Sequence, residues 1–96
     1  MKKDKSKINN EIISFLKERK ARKIAVFGSY VRDEEMADSD IDIIVEFNDR
    51  KSLLDFVGIE RELSEKIGIK VDLLTEQSIS PYLIDRVREE MKVIYQ

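Results

Sequence analysis

Two aspartates, Asp40 and Asp42, are the residues whose type and spacing most directly suggest chemistry in this 96-residue chain. They begin a run of β-branched and aromatic residues that ends at Phe47, which predicts a β-strand. Side chains alternate between the faces of a strand, so both carboxylates should point one way and Ile41 and Ile43 the other. Two neighbouring negative charges repel each other and are tolerated mainly when they are solvated or neutralised by a cation. A hard cation such as Mg²⁺ would suit the pair, although exposed strand faces are also often acidic.

A second candidate site lies upstream, where a short apolar strand predicted over residues 22–27 ends at Gly28 and Ser29. A strand that breaks at glycine into a helical turn leaves backbone N–H groups free to hold phosphate oxygens, and the Ser29 hydroxyl can join them. Arg32 follows one helical turn later and can add positive charge on the same side. A glycine at a strand end is also structurally ordinary, so the phosphate site rests on its conjunction with the aspartate pair.

A third carboxylate, Asp72, lies in a strand predicted over residues 69–74. The apolar residues of this strand alternate with it, so Asp72 should point away from the core, as Asp40 and Asp42 do. A single aspartate in a strand is usually only solvated. The simplest sheet nevertheless puts the three carboxylates on one face, which favours a three-carboxylate group.

A calcium site is the alternative for the aspartates, because Asp38, Asp40 and Asp42 have the spacing that opens an EF-hand loop. That loop needs glycine where Ile43 stands and a bidentate glutamate where Asp49 stands. Calcium binding of the EF-hand type is therefore not expected.

Two helices are predicted to flank the strands. Apolar residues at helical spacing predict the first over residues 8–19. The second covers residues 53–67, with Ser52 as its N-cap and Gly68 as its stop. Gly58 lies inside this helix, where glycine is unfavourable, and this suggests close packing against the sheet.

A third helix should begin at Ser80 and Pro81, a cap followed by proline at the first helical position. It should cover the core, and residues 93–95 should form either a short strand or a last helical turn. Together these elements predict an α/β (α+β) fold of two layers. Helices would pack on one face of a small mixed sheet, with the carboxylates on the other face or at its edge.

The composition narrows the possible chemistry. No cysteine or histidine occurs, which excludes disulfides, Cys/His zinc sites and histidine as a general base. The length suits one domain over residues 1–96, with the Lys-rich residues 1–7 as a mobile tail. No apolar run approaches the roughly 18 residues of a membrane span and no signal peptide is present, so a cytoplasmic location is expected.

Charge is distributed unevenly along the chain. Residues 1–23 hold nine basic and three acidic residues, whereas residues 24–96 hold nine basic and seventeen acidic residues. Nucleic-acid binding depends largely on neutralisation of phosphates by Lys and Arg, so the acidic body makes such a partner unexpected. A basic protein partner fits better.

The motifs resemble those of the minimal nucleotidyltransferases (MNT), a branch of the DNA polymerase β-like nucleotidyltransferase superfamily. The family signature of Gly-Ser, ten residues and Asp-x-Asp is matched by Gly28-Ser29, residues 30–39 and Asp40-Ile41-Asp42. The likeness extends over most of residues 8–95. Asp33 departs from it, since relatives often carry glycine after the arginine.

The resemblance implies an enzyme that transfers AMP from ATP with two Mg²⁺ ions. It implies two sets of site residues, namely catalytic and metal-binding Asp40, Asp42 and Asp72, and phosphate-binding Gly28, Ser29 and Arg32. Similar proteins act as antitoxins beside a HEPN-type ribonuclease toxin, which implies a tyrosine of that toxin as the acceptor. The alternatives are an antitoxin that neutralises the toxin by occlusion, and nucleotide transfer to RNA or a small molecule.

Overall fold

The computed structural model describes residues 5–28 and 40–96, which form three helices and four strands. In chain order these are α1 Lys5–Lys17, β1 Ala21–Phe27, β2 Ile41–Phe47, α2 Leu53–Ile67, β3 Val71–Leu74, α3 Ile84–Glu90 and β4 Lys92–Tyr95, with a 3₁₀ turn at Glu76–Ser78. The predicted tail of residues 1–7 is too long, because α1 begins at Lys5. Lysine is a good helix former, so the amphipathic helix extends into the Lys-rich stretch. Neither described range contains a helix long and apolar enough to cross a membrane.

The four strands form one mixed sheet in the order β3-β2-β1-β4. Strand β1 is antiparallel to both β2 and β4, whereas β2 and β3 are parallel. Parallel neighbours need a crossover of about a dozen residues or more. The 15-residue α2 provides that crossover and so brings the two strands predicted to carry carboxylates side by side.

One face of the sheet packs against α1 and α2. Ile41, Ile43 and Val45 of β2 are at most 1% exposed and belong to one buried cluster with Leu16 of α1 and Leu63 of α2. Burial of each such side chain contributes about 1.5–3 kcal/mol. A register slip of one residue would replace these side chains in the core with Asp42, Ile44 and Glu46, two of which are charged, so the core fixes which face the acids occupy. The predicted two-layer fold is confirmed.

Both predicted ends of α2 are confirmed. The Asp55 N–H donates to Ser52 Oγ at 3.1 Å and the Ser52 N–H donates to Asp55 Oδ2 at 3.4 Å, which together form a capping box. Gly68 ends the helix in the left-handed conformation, with φ of 72°. The explanation given for Gly58 is wrong, because a Cβ added there would meet nothing within 4 Å.

Helix α3 begins at Ile84, four residues after the predicted Ser80 cap. The Ser80 carbonyl accepts from the Leu83 N–H at 2.9 Å and from the Ile84 N–H at 3.0 Å, so residues 81–83 form a turn that leads into the helix. Leu83, the residue before α3, stays in the right-handed helical region, with φ of −108° and ψ of −17°. No residue of α3 is buried, so the expectation that this helix covers the core is also wrong. Of the two predictions for the following segment, the strand is confirmed as β4.

An ion pair ties α3 to the 3₁₀ turn that follows β3. Arg88 Nε and Nη2 each donate to a carboxylate oxygen of Glu76 at 3.3 Å. These hydrogen bonds hold the pKa of Glu76 below its ordinary value of 4.5. The pair lies on the surface, so it orients this segment more than it stabilises the domain.

Candidate active site

Asp42 and Asp72 lie directly opposite each other in the parallel pair of β2 and β3. Side chains at paired positions share a face, and adjacent strands are roughly 4.8 Å apart. Ile41 and Ile43, on either side of Asp42, point into the core, so both carboxylates lie on the face that α1 and α2 leave open. Each aspartate is half-buried. The sheet thus brings together two of the three acids predicted from the sequence.

Gly28 lies beside this pair, at the end of β1. Its φ of +83° is a conformation that side chains rarely adopt, and a Cβ built on it would lie 2.5 Å from Asp42 Oδ2. Phe27, the preceding residue, pairs with Asp42 across the antiparallel β1 and β2. Glycine is therefore required here by the backbone and by the space that the Asp42 carboxylate occupies.

Asp40 immediately precedes β2, and its carboxylate is turned to a different partner. Its Oδ2 lies 3.7 Å from Lys70 Nζ, and the two side chains are 38% and 72% exposed. The Ile41 N–H donates to the Lys70 carbonyl at 2.9 Å, which fixes the backbone on which this ion pair forms. Across residues 5–28 and 40–96, no three acidic side chains are grouped closely enough to hold one metal ion. Of the three predicted carboxylates, those of Asp42 and Asp72 thus lie together, whereas Asp40 forms an adjacent ion pair with Lys70 on the surface.

Lys70 is the neighbour that sequence reasoning missed. One step back from the Ile41–Val71 pair, the parallel register sets Lys70 opposite Asp40. Opposite charges at paired positions attract each other across a sheet. The signal was present in the sequence, because the β2–β3 register that pairs Asp42 with Asp72 also sets Lys70 opposite Asp40.

Ser29 and Arg32 lie outside the described residues, as does the whole spacer between Gly28 and Asp40. Their assignment to phosphate binding remains a prediction. Of the predicted phosphate-binding set, Gly28 alone is described, and it lies next to the carboxylate pair.

The carboxylate pair has the donor chemistry of a magnesium site. Carboxylate oxygens are the hard ligands that Mg²⁺ prefers, and the ion is usually held by one or two of them while water or substrate phosphates complete its coordination. The bare backbone at Gly28 lets the Asp42 carboxylate lie against the end of β1. These residues therefore fit Mg²⁺ with ligands from the substrate.

A cavity of about 510 Å³ begins near Ile44, two residues after Asp42 on the same face of β2, and its lining also includes Ala25 and Gln77. Neither Asp42 nor Asp72 lines it. Acidic residues do line the cavity, but each has a basic partner: Glu46 pairs with Arg22, Asp49 with Lys51 and Glu76 with Arg88. We therefore assign the chemistry to the carboxylates of Asp42 and Asp72.

Comparison with known proteins agrees with the fold. The model of the nucleotidyltransferase domain family matches residues 9–94, and the chain belongs to that family. A protein of Methanocaldococcus jannaschii, named as a candidate protein adenylyltransferase, is 46% identical over 85 residues, which cover 88% of this chain and 91% of that protein.

Solved structures give the same result. A toxin–antitoxin structure with AMP-PNP superposes with a TM-score of 0.81 at 29% identity, covering 91% of this chain and 72% of that chain. A structure of a tri-AMPylated Shewanella oneidensis HEPN toxin in complex with an MNT antitoxin gives 0.77 at 26% identity, covering 96% and 72%. The resemblance to minimal nucleotidyltransferases is confirmed.

Proposed function

We propose that this chain is a Mg²⁺-dependent protein adenylyltransferase that transfers AMP from ATP to a tyrosine hydroxyl of a HEPN-type ribonuclease toxin and so acts as its antitoxin. The observation that carries the proposal is the register of Asp42 and Asp72 on adjacent strands beside Gly28. Likeness to a candidate protein adenylyltransferase and to a complex that holds a tri-AMPylated HEPN toxin supports this choice of acceptor. Because the reaction consumes ATP, the proposal includes a cytoplasmic location.

The reaction joins the tyrosine oxygen to the α-phosphorus of ATP. The bond between that phosphorus and the oxygen bridging to the β-phosphate breaks, and pyrophosphate leaves with the bonding electrons. The tyrosine proton passes to the Asp72 carboxylate. Transfers of this kind depend mainly on positioning and charge neutralisation, so a chain without cysteine or histidine can perform them.

Asp40, Asp42 and Asp72 would hold Mg²⁺, two ions in this proposal, which supplies charge neutralisation at the phosphate oxygens when bound. Asp40 would join this set by leaving Lys70. An exposed ion pair of this kind is worth about 0–1 kcal/mol, so the rearrangement costs little. Gly28, Ser29 and Arg32 would bind the β- and γ-phosphates.

Labelled ATP provides the first test. A HEPN-type toxin from the same genome is incubated with this protein, Mg²⁺ and ATP labelled on either the α- or the γ-phosphate. We expect the α-label, and not the γ-label, to appear on the toxin, and we expect EDTA to abolish the transfer. Transfer of the γ-label would identify a kinase instead, and transfer of neither would contradict the proposed enzyme.

Matched aspartate variants test the assigned residues. We expect Asp42→Asn and Asp72→Asn to abolish transfer without loss of stability, because each removes one of two neighbouring like charges. Asp85→Asn is the control, since Asp85 lies on α3 with its side chain 90% exposed. Full transfer by either site variant, or a loss of stability in both, would contradict their proposed role.

A further inference from the structure

Within residues 5–28 and 40–96, Asp72 lies on a strand that has one strand neighbour. Strand β3 is four residues long and forms the edge of the sheet, so its backbone pairs with β2 alone. The Lys70 carbonyl faces β2, where it accepts from the Ile41 N–H. Backbone groups alternate in direction along a strand, so the N–H groups of Val71 and Leu73 point away from β2. Unpaired groups of this kind normally face water or recruit another strand.

Two side chains of α2 occupy this edge. The Leu73 N–H donates to Glu60 Oε2 at 2.8 Å, and the Val71 N–H donates to Ser64 Oγ at 2.9 Å. The Ser64 hydroxyl in turn donates to the Glu60 carbonyl at 2.8 Å. Each acceptor is partly buried, and the two lie one helical turn apart. They act on the residues that immediately precede and follow Asp72.

We propose that Glu60 and Ser64 are positioning residues that hold Asp72 at its place beside Asp42. The inference rests on the proposed function, because it gives Asp72 a part in the reaction. The β2 strand fixes one side of β3, and these two hydrogen bonds fix the other, so Asp72 is held between two restrained peptide groups. The bond from Leu73 is accepted by a carboxylate, and a charge-assisted bond is roughly twice as strong as a neutral one.

A purely structural role would have a different signature. Side-chain acceptors that only cover an exposed edge would change stability and leave the chemical step untouched. Positioning residues act on the chemical step, where a displacement of about 1 Å can cost on the order of 100-fold in rate. The distinction therefore lies in kcat at saturating ATP and Mg²⁺, in metal binding, and in the local opening of β3.

The test compares Glu60→Ala with Glu60→Gln, which keeps an acceptor oxygen, and with Glu65→Ala as the control. Glu65 lies on the same helix and its side chain is 70% exposed. For Glu60→Ala we expect kcat for toxin modification to fall on the order of 10- to 100-fold while the KM for ATP changes less than about twofold. Glu60→Gln should recover most of the rate, and Glu65→Ala should match the parent.

Two further measurements do not depend on turnover. Amide hydrogen exchange by NMR should show faster exchange at Leu73 in Glu60→Ala and at Val71 in Ser64→Ala. Calorimetry of Mn²⁺ binding, with a non-hydrolysable ATP analogue present, should show weaker binding in both variants. If Glu60→Ala does not fold, Ser64→Ala carries the same expectations through the smaller change.

Asp72→Asn, measured in parallel, separates the two ideas. An active Asp72→Asn would overturn the proposed role of Asp72 itself. An inactive Asp72→Asn together with parental kcat and parental Mn²⁺ binding in both Glu60→Ala and Ser64→Ala would overturn the positioning role alone. Faster amide exchange at Val71 and Leu73 with an unchanged kcat would likewise show that Glu60 and Ser64 only cover the edge of the sheet.

Discussion

Gly28→Ala tests whether the backbone conformation of Gly28 and its lack of a side chain are needed to position the Asp42 carboxylate. A side chain at the φ of +83° found here costs roughly 1–2 kcal/mol relative to glycine. The new Cβ would also lie 2.5 Å from Asp42 Oδ2, whereas ordinary contact begins near 3.4 Å. The carboxylate is the end of a flexible side chain, so it can relieve the overlap by moving about 1 Å away.

The expected result is therefore a folded protein with a displaced carboxylate. A loss of about 1–2 kcal/mol is a fraction of the 5–15 kcal/mol that typically holds a domain together. A 1 Å displacement of a catalytic group can lower the rate on the order of 100-fold. Urea unfolding would measure the stability, and single-turnover transfer to the toxin, followed by intact mass, would measure the rate.

Gly58→Ala is the matched control. Gly58 lies inside α2, and a Cβ there meets nothing within 4 Å. We expect this variant to gain about 0.5–1 kcal/mol of stability and to transfer AMP at the parental rate. Parental transfer by Gly28→Ala would refute the argument that the space beside Asp42 matters. A stability loss in Gly28→Ala large enough to unfold it would refute the claim that the carboxylate can move aside.

Three further changes have definite expected outcomes. Lys70→Ala should change the unfolding free energy by at most about 1 kcal/mol and leave transfer intact, because its pair with Asp40 is exposed; a large loss of rate would instead give Lys70 a part in the reaction. Glu76→Gln tests the hydrogen bond from Arg88 that lowers the Glu76 pKa. The stabilisation from this bond should be complete above the ordinary pKa of 4.5 and should be lost as the pH falls through the lowered pKa. In urea unfolding, the variant should therefore be less stable than the parent at neutral pH and equal to it in strong acid. Ser52→Ala should cost about 1 kcal/mol in the same assay through loss of the N-cap and leave transfer unchanged, and an unchanged stability would contradict the capping role.

The features that could be predicted from the sequence are those with a local cause. Alternation of polar and apolar residues was enough to assign Asp42 and Asp72 to the open face, and the structure pairs them. Ser52 and Gly68 marked the ends of α2 because capping chemistry is confined to a few consecutive residues. The start of α3 was placed four residues too early, because Ser80 opens a turn that precedes the regular helix.

The features that could not be predicted depend on contacts between distant segments. The proximity of Gly28 to the Asp42 carboxylate follows from how β1 pairs with β2, which the Gly-Ser motif does not encode. In the sequence, Glu60 is one of several polar residues on α2, and the Leu73 N–H whose hydrogen bond it accepts lies thirteen residues away. An amphipathic pattern identifies the buried face of a helix, but it does not show which polar side chain reaches a neighbouring strand.

The central claim, that this protein neutralises its partner by modifying it, is tested most directly on the separated toxin. The toxin is incubated with this protein and Mg²⁺–ATP, purified away from it, and examined for intact mass and ribonuclease activity. The proposal expects a gain in mass in steps of AMP on a tyrosine and continued inactivity after separation, both absent with Asp42→Asn. An unmodified toxin that regains full activity once separated, and that Asp42→Asn neutralises equally well in the complex, would contradict the proposal in favour of occlusion.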